Sequence, residues 1–254
     1  MRVTVCELPH ERRALDAAWA ALCEHTRAHA SQLVLLPEFA MLQPVWESNH
    51  FDAVRWRLIE ALSDQQLRRL PELGAEFVVG TRPACVNGRR LNQAYIWSAA
   101  NGVAPLRSKY FLPEQPGNWE TTWFEKGDPE FPVYYAGAAA FGVNICTELW
   151  ALDTYAGYAA LGAGLVLTPR ATALSTASAW LSAGVVAAVR TGVFSVSSNR
   201  VDSTGACGGI GWIIDPNGEI VEVTSPLNPF ATADLDLTEA ARAKDCYPRY
   251  VFSS

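Results

Sequence analysis

The side chain best suited to nucleophilic chemistry in this sequence is the thiol of Cys146. It ends the short apolar run Phe141-Gly-Val-Asn-Ile-Cys146, and the chain then becomes polar at once at Thr147 and Glu148. Val143 and Ile145 are typical of a buried strand, and a cysteine at the end of such a strand can reach a cleft on a rigid backbone. A buried structural thiol is the alternative interpretation, since free cysteine is among the most buried residue types.

Histidine is the usual base for a thiol nucleophile, but its positions here do not support that role. The four histidines are His10, His25, His29 and His50, so none follows residue 50. His25 and His29 have i,i+4 spacing, yet Thr26 stands where the H-E-x-x-H metalloprotease pattern has its glutamate. We interpret this pair as an exposed helix face, and we expect the base for Cys146 among other residue types.

A carboxylate and an ammonium end two other apolar segments. Glu38 directly follows Leu33–Pro37, and Lys109 directly follows Val103–Ser108. A carboxylate can take the proton of a thiol whose pKa is ~8.5, and an ammonium can neutralise charge on an attacked carbonyl oxygen. Each residue alone would be typical of a surface ion pair. Together with Cys146, the two residues at strand ends make a workable catalytic set.

These residues lie in segments that resemble the motifs of the nitrilase superfamily, the carbon–nitrogen hydrolases. The segments are Leu-Pro-Glu38-Phe, Arg-Ser-Lys109-Tyr and Asn-Ile-Cys146-Thr-Glu, and their order and spacing agree along nearly the whole chain, including the closing turn Ile214-Asp-Pro-Asn-Gly-Glu219. The resemblance implies an α/β fold, namely a four-layer-forming αββα sandwich in a single domain. It also implies that two such domains dimerise through helices into a longer αββα–αββα body. It also implies a Glu–Lys–Cys triad and no cofactor.

The resemblance also implies a second glutamate, for which the sequence offers two candidates. The loop after Lys109 is similar to that of the β-ureidopropionase and N-carbamoylputrescine amidase branch, which indicates Glu120, eleven residues after the lysine. Glu114 is the alternative, because other branches place this acid closer to the lysine. The sequence departs from the family at Ala151-Leu-Asp-Thr, where many members have Phe-Pro-Glu. Family members usually carry an arginine and a glutamate on the helix before the later strand, and Ala187 and Arg190 do not match them. These departures weaken the assignment of a substrate.

The implied mechanism is hydrolysis through a thioester. Glu38 would deprotonate Cys146, which attacks an amide or carbamoyl carbon, and Glu38 would later activate water. Lys109 and the backbone N–H of Thr147 would hold the oxyanion, an interaction worth ~3–4 kcal/mol per donor. Glu120 would orient Lys109 and keep it charged.

The substrate is less well defined by the sequence. Arg170 follows Thr168-Pro169 and could anchor a substrate carboxylate, since a guanidinium suits that group. A structural pair with a nearby acid such as Glu148 is the alternative. Trp150 could form one wall of an apolar substrate pocket.

Three functions therefore stay open. The first is hydrolysis of a linear amide or N-carbamoyl compound, with release of ammonia or an amine. The second is a nitrilase that uses the same triad, and the third is a non-catalytic family member that acts as a binding protein.

The elements that must position these residues alternate along the chain. Strands are predicted at 1–6, 33–36, 76–80, 91–99, 103–108, 141–146, 165–167, 193–198, 209–214, 219–224 and 230–235, and helices near 10–30, 50–70, 153–161, 176–190 and 238–244. A long loop rich in Pro, Gly and Trp is predicted at roughly 110–130. Two segments, Leu33–Glu38 and Leu165–Arg170, share a buried strand, a proline and then a charge. This similarity would place Glu38 and Arg170 at comparable strand ends, in two similar halves around one site.

Composition limits the class of protein. The 254 residues are half hydrophobic and 18% charged, which favours one large α/β domain over residues 1–254. The net charge of −6 gives no reason to expect nucleic acid or an anionic membrane as partner. The chain opens as a strand, and no apolar run approaches the ~20 residues of a membrane span. The six cysteines are scattered and form no C-x-x-C pair. This pattern is more typical of reduced thiols in a cytoplasmic protein than of a disulfide framework or a zinc site. We expect a small-molecule amide as substrate and a homodimer or higher homo-oligomer.

Overall fold

The computed structural model describes residues 1–252 of the chain. Its strands are β1 (Arg2–Pro9), β2 (Leu33–Leu35), β3 (Phe77–Val86), β4 (Arg89–Ser98), β5 (Gly102–Ser108), β6 (Glu114–Gln115), β7 (Asn118–Trp119), β8 (Tyr134–Ala136), β9 (Ala139–Val143), β10 (Leu165–Arg170), β11 (Phe194–Val201), β12 (Trp212–Ile214), β13 (Ile220–Val223) and β14 (Phe230–Asp234). Its α-helices are α1 (Arg12–Ala28), α2 (Ala53–Leu67), α3 (Glu120–Trp123), α4 (Leu152–Ala160), α5 (Ala177–Thr191) and α6 (Thr238–Lys244). Short 3₁₀-helices cover Leu70–Leu73, Cys146–Trp150, Leu174–Thr176 and Arg249–Phe252.

Strand pairing divides the main sheet into two halves that meet along β1. The first half has the order β5-β4-β3-β2-β1, with β14 antiparallel to β1 on its other side. The second half has the order β13-β12-β11-β10-β9-β8. The end of β1 leaves β14 and pairs in parallel with the end of β11, where Glu7 lies opposite Asn199. The two halves therefore share one edge, formed by the carboxyl ends of β1, β2, β10 and β11.

The alternation of side chains along each strand creates the layers. In β2, Leu33 and Leu35 face the second half-sheet, while Val34 packs toward α1. The core between the half-sheets contains Phe141 and Val196 among its many buried side chains. Helix α1 covers the outer face of the first half, and α4 and α5 cover that of the second. The predicted αββα sandwich is confirmed.

Several elements differ in extent from the sequence-based prediction. Strand β9 ends at Val143, so Cys146 begins a 3₁₀-helix instead of closing the strand. The long loop contains the hairpin β6–β7 and helix α3, and β8 precedes β9. Short polar elements of this kind lack the hydrophobic period on which such predictions depend. A Cβ at Gly142 would lie 2.5 Å from the Tyr158 ring, which explains the glycine in β9.

The internal similarity of β2 and β10 has a structural counterpart. The backbone N–H of Glu38 donates to the carbonyl oxygen of Arg170 at 3.2 Å, so the two segments end side by side. Their predicted placement at comparable strand ends is confirmed. Within residues 1–252, no helix has the length and hydrophobicity that crossing a membrane would require.

Candidate active site

Lys109 lies at the centre of a buried group of charges just beyond β5. Its Nζ donates to Oε1 of Glu38 at 3.0 Å and to Oε1 of Glu120 at 2.7 Å, and the lysine side chain has no solvent exposure. Burial by itself would lower the pKa of Lys109, but the charges of Glu120 and then Glu38 outweigh it and raise the pKa. Lys109 is therefore held as an ammonium.

Glu38 is fixed from both its backbone and its side chain. It follows β2, and its carboxylate Oε1 accepts a second hydrogen bond from Nδ2 of Asn92 at 2.8 Å. The next residue, Phe39, has a φ of +47° and donates its N–H to Oγ1 of Thr81 at 2.8 Å. This left-handed backbone conformation is unusual for a residue with a Cβ. It turns the chain away from the pocket directly after Glu38, whose side chain lines the pocket.

Cys146 occupies a similarly constrained position. Its φ is +50°, and it begins the 3₁₀-helix that follows β9. Burial, followed by the charge of Glu38, raises the pKa of the thiol, and the opposing effect of Lys109 is smaller. Cys146 and Glu38 line the same pocket, whose volume is about 480 Å³. The resting group is therefore a neutral thiol that lies near a carboxylate.

Glu148 connects the segment of Lys109 to the segment of Cys146. Its carboxylate forms a buried double ion pair with Arg107, with 2.9 Å between Nη2 and Oε1. The same carboxylate accepts the backbone N–H of Tyr110 at 2.7 Å and that of Ile145 at 2.8 Å. Arg107 and Tyr110 flank Lys109, and Ile145 precedes Cys146. The carboxylate of Glu148 therefore holds the segment of Lys109 and the segment of Cys146 in a fixed relative position.

The structure places Glu120, and not Glu114, against the lysine. Glu120 begins α3, and burial raises its pKa to about 7 despite the opposing charge of Lys109. Its second oxygen, Oε2, is buried without a hydrogen-bond partner in residues 1–252. Glu114 is exposed at the rim of the pocket, where its carboxylate accepts from the backbone N–H and the hydroxyl of Thr121.

Two of the three predicted substrate-binding residues lie in the pocket. Thr147 and Trp150 both line it, and the side chain of Trp150 is 49% exposed. Thr147 is an early residue of a 3₁₀-helix, where backbone N–H groups have no partner within the helix. Its N–H is therefore suitably placed to bind an anionic oxygen.

Arg170 is placed differently from what the sequence suggested. Its guanidinium is fully buried and donates to Oγ of Ser197 at 2.7 Å, to Oγ1 of Thr172 at 2.8 Å and to the carbonyl of Ile210. It also lies 4.0 Å from the ring centroid of Trp212. This argues against a carboxylate anchor at Arg170. The alternative pair with Glu148 is wrong, because Glu148 binds Arg107.

Several residues of the site were not predicted from the sequence. Trp46 and Trp180 line the pocket from distant parts of the chain, and the rings of Trp180 and Trp150 are 5.1 Å apart. Asn92 is fully buried in β4 and binds Glu38. Its amide lies between the apolar residues of Leu91-Asn-Gln-Ala-Tyr, next to a second amide at Gln93, and buried polar groups of this kind need partners.

The fold and the site together define a class of protein. An αββα sandwich that brings a thiol and a lysine held by two carboxylates to one sheet edge is the architecture of a cysteine hydrolase of carbon–nitrogen bonds. A family model described as carbon-nitrogen hydrolase matches residues 2–245, and the chain belongs to that family. Comparison with curated protein sequences gives no significant match.

Solved structures resemble this fold along its whole length. A carbon-nitrogen hydrolase from Helicobacter pylori G27 has a TM-score of 0.86 at 17% identity, covering 99% of this chain and 94% of that one. An amidase variant from Nesterenkonia sp. AN1, with acrylamide added at its active-site cysteine, has a TM-score of 0.75 at 20% identity, covering 95% of each chain. The same amidase with the acetamide moiety of fluoroacetamide on that cysteine has a TM-score of 0.76 at 19% identity, covering 99% and 95%. At these identities the likeness concerns the fold.

Proposed function

We propose that this protein is an amidase that hydrolyses a linear amide or N-carbamoyl compound through a thioester on Cys146. The observation that carries this proposal is the ammonium of Lys109, held at 3.0 Å by Glu38 and at 2.7 Å by Glu120 beside a buried thiol. Such an arrangement supplies a base, an electrophile and a nucleophile in one pocket.

The first half of the reaction forms the thioester. Glu38 takes the thiol proton as sulfur attacks the carbonyl carbon, and the π electrons of the C=O bond move to oxygen. Lys109 and the N–H of Thr147 stabilise this oxyanion, as preorganised donors in a dry site do. When the C–N bond breaks, Glu38 gives its proton to the leaving nitrogen, and ammonia or an amine departs.

The second half releases the acid. Glu38 takes a proton from water, whose oxygen attacks the thioester carbon. The C–S bond then breaks, and the sulfur recovers the proton from Glu38. Glu120 keeps Lys109 charged and in place throughout, and its buried Oε2 faces a substrate group as an acceptor or, when protonated, as a donor.

The wider setting follows from the same residues and from the sequence. The loop of Glu120 supports an N-carbamoyl substrate of the branch that it resembles. We also propose that the protein needs no cofactor and acts on a small molecule in the cytoplasm, where its six cysteines, all free in residues 1–252, stay reduced.

Selective labelling and a substitution test the proposed nucleophile. Fluoroacetamide should place one acetamide group on Cys146, detected by peptide mass spectrometry, and Cys146→Ala should abolish turnover of amides. The exposed thiol of Cys85 supplies the matched control, because Cys85→Ala removes a thiol that does not line the pocket. Wild-type turnover by a folded Cys146→Ala variant would refute the mechanism.

A substrate panel separates the three functions. Linear amides, ureido compounds and nitriles would be assayed for ammonia release. Turnover of amides but not nitriles supports the amidase, and preference for a nitrile over its own amide indicates a nitrilase. If no compound is turned over and Cys146 is not labelled selectively, a non-catalytic binding protein is the better description.

A further inference from the structure

The charged side chains that line the pocket above Cys146 all carry the same sign. They are Glu38, Glu114 and Glu120, and among the described residues that line this pocket there is no lysine or arginine. The ammonium of Lys109 is buried and is already held by Glu38 and Glu120. A substrate therefore enters a pocket whose lining is acidic, and its distal end meets no basic partner.

Two buried arginines lie near indoles of the pocket: Cζ of Arg170 is 5.9 Å from the ring centroid of Trp180, and Cζ of Arg200 is 5.8 Å from that of Trp46. The guanidinium of Arg170 donates three hydrogen bonds, to the hydroxyls of Ser197 and Thr172 and to the carbonyl of Ile210. Arg200 donates to the carbonyls of Phe39 and Leu42 and is fully buried. Both guanidinium groups therefore hold the protein backbone and side chains together, and neither lines the pocket.

The aromatic part of the lining is suited to a cation. Trp150 is 49% exposed although it ends the same short helix that Cys146 begins, so its position relative to the nucleophile is fixed. Trp180 lies against it with the ring centroids 5.1 Å apart, and Trp46 lines the pocket as well. Indole is the aromatic ring that attracts cations most strongly.

Glu114 supplies a fixed carboxylate at the rim. It lies in the hairpin β6–β7, opposite Trp119, and both of its hydrogen bonds to Thr121 use the same oxygen, Oε2. These bonds hold the exposed carboxylate in place. The carboxylate of Glu114 and the half-exposed indole of Trp150 therefore line one pocket, the usual pairing for an ammonium group.

We propose that the substrate is an amide or carbamoyl compound whose acyl group ends in a positive charge, bound by Glu114 and the indole of Trp150. This inference rests on the proposed function and adds the chemical class of its substrate. An acyl group that ends in a carboxylate is disfavoured, since its charge would lie in the pocket of the Glu114 carboxylate with no lysine or arginine among the lining residues.

Three primary amides of equal chain length test the inference, ending in an ammonium, a methyl group and a carboxylate. The expected order of kcat/KM is ammonium, then methyl, then carboxylate. The ammonium amide should lose its advantage as salt concentration rises, because the charge at the rim is screened. Equal kcat/KM for the ammonium and methyl amides, or the highest value for the carboxylate amide, would overturn the proposal.

A conservative variant assigns the effect to one residue. Glu114→Gln keeps an oxygen for Thr121 but removes the charge, and it should lower kcat/KM for the ammonium amide roughly 10-fold more than that for the methyl amide. Glu222→Gln, on the exposed strand β13, removes an equal charge elsewhere and should leave the ratio unchanged. If the ratio of kcat/KM for the two amides is unchanged in Glu114→Gln, Glu114 does not bind the ammonium group.

Binding to a chemically inactive protein separates this inference from the proposed function. Calorimetry on Cys146→Ala compares the Kd of the three amides without any turnover. Tighter binding of the ammonium amide supports the cation site even if hydrolysis fails. Equal or reversed affinities refute the cation site even if the wild-type protein hydrolyses every amide.

Discussion

At the scale of single residues, two carboxylates share one buried ammonium. Glu38 and Glu120 approach Lys109 from segments 82 positions apart in the chain, and the distances to Nζ are 3.0 and 2.7 Å. A buried ammonium without such partners would lose its proton, because burial disfavours the charged form. The two glutamates nevertheless differ in their remaining contacts. Glu38 also binds Asn92, whereas Oε2 of Glu120 is buried with no partner in the described chain.

The raised pKa of Glu120 predicts how activity depends on pH. Burial raises the pKa of this carboxyl group to about 7, so it passes from its protonated to its ionised form around that pH. If the ionised form holds Lys109, kcat/KM should rise with pH through about 7, and Glu120→Gln should lose this rise and roughly 100-fold of the rate at high pH. Rate profiles of both proteins give the measurement. Glu114→Gln, which leaves Lys109 untouched, should keep the rise, and a wild-type rate independent of pH would contradict the prediction.

The burial of Arg170 predicts a structural effect of its substitution. Arg170→Met would leave the groups that it binds, including Oγ of Ser197 and the carbonyl of Ile210, without a donor. We expect a loss of roughly 3 kcal/mol or more in the free energy of unfolding, measured by urea denaturation. Any fall in kcat/KM should be equal for amides with and without a carboxylate. A loss confined to the carboxylate substrates would restore Arg170 as their anchor.

At the scale of elements, Glu148 decides how two segments meet. Strand β5 delivers Lys109 and strand β9 delivers Cys146, but the strands are not neighbours in the sheet. Glu148 connects them through Arg107, the N–H of Tyr110 and the N–H of Ile145. Hydrogen bonds to a buried charge are stronger than those between neutral groups, so this connection is stiff.

Loss of the charge on Glu148 should therefore affect both stability and rate. Glu148→Gln leaves Arg107 buried and uncompensated, at a cost of roughly 3–5 kcal/mol in the free energy of unfolding. Because the two segments then shift, we also expect kcat to fall more than KM changes. A double-mutant cycle with Arg107→Leu provides the control, since the double variant should cost less than the sum of the two single variants. Additive costs would show that the pair does not act as a unit.

At the scale of the whole molecule, the sandwich leaves apolar side chains on its outer helices. Leu152 of α4 is 37% exposed and Val186 of α5 is 51% exposed, on the layer that covers the second half-sheet. We propose that this layer packs against its copy in a homodimer, or in a larger homo-oligomer, as the family resemblance implies. Burial of such side chains is favourable by about 25 cal/mol per Å².

A charge on this layer should dissociate the assembly. We expect Val186→Glu to shift the protein from dimer to monomer, measured by sedimentation velocity, with a folded circular dichroism spectrum. Val54→Glu makes the same change at a more exposed position of α2, 67% exposed, on the other outer side, and should leave the dimer intact. A monomeric wild-type protein would contradict the proposal directly.

The sequence by itself determined the identity of the elements and the residues at their ends. Short apolar runs predicted β1, β2, β10 and β11, and apolar residues at helical spacing predicted helices between them. Glu38, Lys109 and Cys146 each follow an apolar segment and match the three motifs of the family, so the sequence could place them in one site. The prediction of Glu120 over Glu114 came from the resemblance of its loop to that of one branch of the family, and it agrees with the position of Glu120 against Lys109.

Only the tertiary structure decided where the side chains at those ends point. The N–H of Glu38 donates to the carbonyl of Arg170, yet the side chain of Glu38 lines the pocket and that of Arg170 is buried outside its lining. The difference arises from non-local contacts, such as that of Asn92 with Glu38 and that of Ser197 with Arg170. The same holds for the Glu148–Arg107 pair and for the indoles of the pocket. A sequence pattern encodes burial and local conformation, whereas the partner of a buried charge depends on which distant strands adjoin.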